Sequence, residues 1–92
     1  MLNYGMDVST IEDANIVAYL KMKGFKATPF IKNGKQKNSR VAWNIEGDIS
    51  KAVAQYYEDI EVDVYSFVKM LKDVRAEMYN LKQANKKTEK GE

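Results

Sequence analysis

A chain of 92 residues, 45% hydrophobic and 30% charged, has the size and composition of one globular domain with a small core. The absence of cysteine excludes disulfides and thiolate chemistry, and the absence of histidine removes the commonest general base and the commonest metal ligand. The formal net charge of +2 says little about partners, so the information lies in how the charges are distributed.

Residues 1–8 show no periodicity and read as a flexible N-terminus, ahead of a single domain over 9–83. Ser9 or Thr10 resembles a helix N-cap, with Glu12 and Asp13 in capping-box positions. Ile11, Ala14, Val17, Ala18 and Leu20 form an apolar stripe, so a helix is predicted over about 10–23. Lys21 and Lys23 suit its last turn and Gly24 its left-handed C-terminal cap.

The segment 25–32, FKATPFIK, reads as a strand. Lys26, Thr28, Phe30 and Lys32 share one side, and Pro29 confines the strand to a sheet edge or a bulge. Asn33-Gly34 opens a polar turn. In 40–45, RVAWNI, the alternation of Val41, Trp43 and Ile45 predicts a strand with a buried face, paired with its predecessor as an antiparallel hairpin. Trp43 therefore belongs to the core.

Asp48 is a candidate cap for a short helix over about 49–58, with Ile49, Ala52, Val53 and Tyr56 on one face. One of Tyr56 and Tyr57 should bury its ring. After a loop over 59–62, Asp63 can cap the last helix. Its apolar residues Val64, Phe67, Leu71, Val74, Met78 and Leu81 form a seam of about two and a half heptads, widened by Val68 and Met70. Residues 84–92 are polar and read as a disordered tail. The fold class is α+β: helix, antiparallel hairpin, short helix, long C-terminal helix.

The seam has two readings, an ordinary core helix or a helix whose distal part another chain covers. The second would make Val74, Met78 and Leu81 the interface of a homodimer.

Chemistry is sparse. The serines have no histidine to activate them, and the glycines form no phosphate loop. Glu58, Asp59, Glu61 and Asp63 cluster, but their spacing fits no calcium loop. A non-enzymatic protein without metal or cofactor is the expectation. From Ala14 to Ile45, in contrast, Lys21, Lys23, Lys26, Lys32, Lys35, Lys37 and Arg40 occur with no acidic residue, and six acidic residues follow between Glu46 and Asp63. A basic hairpin can track a phosphate backbone, and Phe30, on the strand face of Lys26 and Lys32, could stack on a base. The candidate nucleic-acid-binding set is thus Lys26, Phe30, Lys32, Lys35, Lys37 and Arg40. The plainer reading is a polar loop whose lysines protect an edge strand.

Three stretches carry a resemblance: AYLKMKGF (18–25), RVAWNIEG (40–47) and AVAQYYEDIEVDVYSFVKMLKDV (52–74). They resemble small domain-of-unknown-function proteins of bacteriophages, prophages and some thermophiles, over about residues 11–75. Those proteins share a helix ending in Tyr-Leu-x-x-Lys-Gly, an aromatic strand ending in an acidic residue and Gly, and a Tyr-Tyr helix end. The family has no assigned activity, so the resemblance implies only a setting, an accessory protein of a phage or mobile element. The hairpin loop here is longer and more basic than that pattern. Nucleic-acid binding is the leading expectation. The alternative is a protein–protein module, such as a modulator of a host protein, acting through the acidic segment or the last helix. No apolar run reaches membrane-spanning length and no secretory signal is visible, which predicts a cytoplasmic protein without a membrane partner.

Overall fold

The computed structural model describes residues 7–32, 40–58 and 61–90, with 85–90 described by backbone only. The chain runs β1 (Val8–Ile11), α1 (Ala14–Met22), β2 (Ala27–Lys32), β3 (Arg40–Glu46), α2 (Ser50–Tyr56) and α3 (Val64–Lys90). The strands form one antiparallel sheet in the order β1-β3-β2, which confirms the α+β class. Among the described residues, no helix is long and apolar enough to cross a membrane.

Strand β1 corrects the sequence reading. Ser9 and Thr10 are not a helix cap: they pair with Ile45 and Asn44 of β3. Three of the four residues in Val8-Ser9-Thr10-Ile11 are β-branched, and β3 offers a partner edge that the local sequence could not reveal. The cap belongs to Asp13, whose carboxylate accepts from the N–H groups of Asn15 at 2.8 Å and Ile16 at 3.4 Å. Helix α1 ends as expected. Gly24 takes φ +98°, the Phe25 N–H reaches the Leu20 carbonyl at 3.1 Å, and the Gly24 N–H reaches that of Lys21 at 3.0 Å. These are the two bonds of a Schellman cap.

The hairpin is confirmed. β2 pairs antiparallel with β3 from Ala27↔Ile45 to Lys32↔Arg40. Pro29 lies on an edge strand, where its missing N–H costs no ladder bond. Segment 33–39, with the Asn33-Gly34 turn, Lys35 and Lys37, lies outside the described residues.

The core lies between the sheet and the helices. Val41, Trp43 and Ile45 are buried, as their alternation predicted. In α1, five consecutive residues, Ile16 to Leu20, are buried. A helix enclosed all round is central in its layer, and α1 contacts β1, α2 and α3. The far side of the sheet carries Val8, Thr10, Thr28, Phe30, Arg40, Asn44 and Glu46, all exposed or half-buried. Ala42, across from Phe30, is the buried exception on that side.

Asp48 accepts from the Ser50 N–H at 3.1 Å at the start of α2, and Asp63 accepts from the Ser66 N–H at 2.9 Å at the start of α3. Helix α3 runs on to Lys90, through residues whose composition suggested a tail.

Candidate functional site

The hairpin register turns Phe30, Lys32 and Arg40 to the open face of the sheet. Lys32 lies opposite Arg40, and Phe30 is next on that face. Lys26 extends the ladder, since the Glu46 N–H reaches the Lys26 carbonyl at 3.1 Å. The described members of the predicted nucleic-acid set therefore gather on one face of the β2–β3 pair; Lys35 and Lys37 lie outside the described residues.

The electrostatics of this face were not visible in the sequence. Glu12 follows β1 and reaches back across the sheet: its carboxylate lies 2.6 Å from Lys32 Nζ and 3.7 Å from Arg40 Nη1. The hydrogen bond from Lys32 is the main cause holding the Glu12 carboxyl below its usual pKa. Glu46 lies 3.9 Å from Lys26 Nζ. The stretch with no acidic residue in sequence is thus supplied with carboxylates from outside it. Glu12 could have been suspected only if β1 had been recognised. These are solvent-exposed pairs of small net strength, so a phosphate can compete for the same cations.

The residues of the predicted oligomer interface lie on the inner side of α3. Val74 has no exposed surface, and Met78 and Leu81 pack against the core of their own chain. The reason is geometric: α3 lies beside α1 and also touches β2 and β3, and its inner residues from Phe67 to Leu81 pack on the core. Val64, assigned to the seam by spacing, and Val68, expected to widen it, are instead 71% and 43% exposed.

Beside the α2–α3 connection, Tyr19, Tyr56, Glu58, Val62 and Phe67 line a cleft of about 280 Å³. Tyr56 packs its ring 5.8 Å from that of Tyr19, while Tyr57 stands out in solvent edge-on to it. Partial burial raises the Tyr56 pKa. Among the described residues, no group of three carboxylates could hold a metal ion.

In comparison with known proteins, no curated protein and no solved structure gives a match. One family model does match, over residues 6–80, which include the whole sheet, α1, α2 and most of α3. The chain belongs to the family described as domain of unknown function DUF5659.

Proposed function

We propose that the protein is a small non-enzymatic accessory protein, of a phage or mobile element and acting in the cytoplasm, that binds nucleic acid through its basic hairpin and the open face of the sheet. The observation that carries this reading is the gathering of Lys26, Phe30, Lys32 and Arg40 on the sheet face opposite Val41, Trp43 and Ile45. The cations meet phosphates and the Phe30 ring meets a base. Glu12 acts as an internal competitor, because it holds Lys32 and Arg40 until a phosphate replaces it.

Titration of labelled single strands and duplexes at several salt concentrations tests this. Changing Lys35, Lys37 and Arg40 to Ala should lower the slope of log K against log salt by about two for single strands. Glu12→Gln should do the opposite, with tighter binding and a steeper slope. Binding that ignores both changes would remove the hairpin from the interface.

A second reading, a protein–protein module, is favoured by the exposed Tyr57, Val62 and Val64 around the α2–α3 connection, beside the cleft. A wild-type protein that binds no nucleic acid even at low salt leaves this reading in place.

A further inference from the structure

Helix α3 carries a second periodic stripe, on the side away from the core. Tyr65, Val68, Lys72, Arg75, Tyr79 and Lys82 recur at alternating three- and four-residue spacing, so they line one face of the helix. All six are exposed. Tyr65 is 75% and Tyr79 63% exposed, large values for aromatic side chains of a small domain.

The cations in this stripe differ from those of the hairpin. Lys21, Lys26, Lys32 and Arg40 each have a carboxylate within 4 Å. Among the described residues, Lys72, Arg75 and Lys82 have none. Between Lys72 and Lys82 the acidic residues are Asp73 and Glu77, four apart and so on one side of the helix, away from the stripe, and Glu77 is drawn inward. It accepts from the Trp43 indole N–H at 3.1 Å and from Lys21 Nζ at 3.2 Å. Asp73, on the same side of the helix as Glu77, lies roughly a third of a turn from the stripe centre. Glu77 is thus held by the core, and Glu12 and Glu46 by the hairpin, and among the described residues this face keeps its positive charge.

A second copy of the chain is a poor occupant. Two such faces paired about a two-fold axis would set the cations of one copy against those of the other. A cationic track between exposed aromatic rings suits a single nucleic-acid strand, with phosphates on the cations and bases against the rings. We infer that the outer face of α3 is a second contact surface for single-stranded nucleic acid, separate from the sheet face; this rests on the nucleic-acid reading of the protein.

The probe is a labelled oligothymidylate titrated into the full chain across a salt series. Changing Lys72, Arg75 and Lys82 together to Gln should lower the salt slope by about two units. Tyr79→Leu should weaken binding roughly tenfold with the slope unchanged, as loss of a stacking ring requires. Both variants should keep the wild-type melting temperature, since the altered side chains are exposed. If the wild type binds no oligonucleotide, this inference and the functional reading fall together. If hairpin changes weaken binding while the α3 variants match the wild type, only the inference falls. A preference for duplex over single strand, with Tyr79→Leu silent, overturns it as well.

Discussion

Trp43 is fully buried, yet its indole N–H finds Glu77, and the second oxygen of that carboxylate takes Lys21. One residue of β3 is thereby tied to α3 and, through the shared carboxylate, to α1. Trp43→Ala removes the largest fully buried side chain and should cost about 3–5 kcal/mol in denaturant unfolding. A loss below about 1 kcal/mol would show that the ring is not at the centre of the core. Asp63 offers a test by pH. Hydrogen bonds from the Ser66 hydroxyl and then the Ser66 N–H hold its pKa below the ordinary aspartate value of 3.8. A carboxyl with a lowered folded-state pKa adds stability above its unfolded value, and the gain is lost as pH falls through the folded one. Asp63→Asn keeps an acceptor but does not titrate. Its melting temperature should therefore fall less than the wild type's between about pH 5 and pH 2. Parallel falls would remove Asp63 from the acid transition.

Among the elements, α3 is read most sharply by comparing two of its valines. Val74 is completely buried and Val68 is 43% exposed, although the spacing placed Val74 in the seam and Val68 beside it. Val74→Ala should cost about 2 kcal/mol, from the lost methyl groups and the space they leave. Val68→Ala should stay within about 0.5 kcal/mol. Equal effects would mean that the helix is rotated from the orientation described. Strand β1 teaches the complementary lesson. Its residues matched a capping box as well as a strand, and the preference was decided by pairing with β3, more than 30 residues away in sequence.

At the scale of the whole molecule, Val74, Met78 and Leu81 pack on the core of their own chain, and sedimentation tests whether they also join two chains. Met78→Glu with Leu81→Glu should lower the melting temperature of the folded chain, since both side chains pack on its core. Sedimentation before and after the change separates the cases: a switch from dimer to folded monomer would support the interface reading. Charge is settled at this scale. The basic hairpin and Glu12 are distant in sequence but meet across the sheet, while the cations of α3 remain unmatched among the described residues.

The sequence by itself determined the local elements whose signals are local. Alternation placed Val41, Trp43 and Ile45 inward, Gly24 ended α1, and Pro29 confined β2 to an edge or a bulge, of which the sheet has the edge. Asp63 was legible as the cap of α3 because capping involves only neighbours. The shared face of Phe30 and Lys32 was legible for the same reason, since period two puts them on one side. Only the tertiary structure decided the rest. It made Val8–Ile11 a strand, chose which flank of α3 is covered, and matched the hairpin cations with Glu12 and Glu46. These outcomes depend on which distant segments share space, because a helix face or a charge acquires its partner from packing and periodicity records only that a face exists.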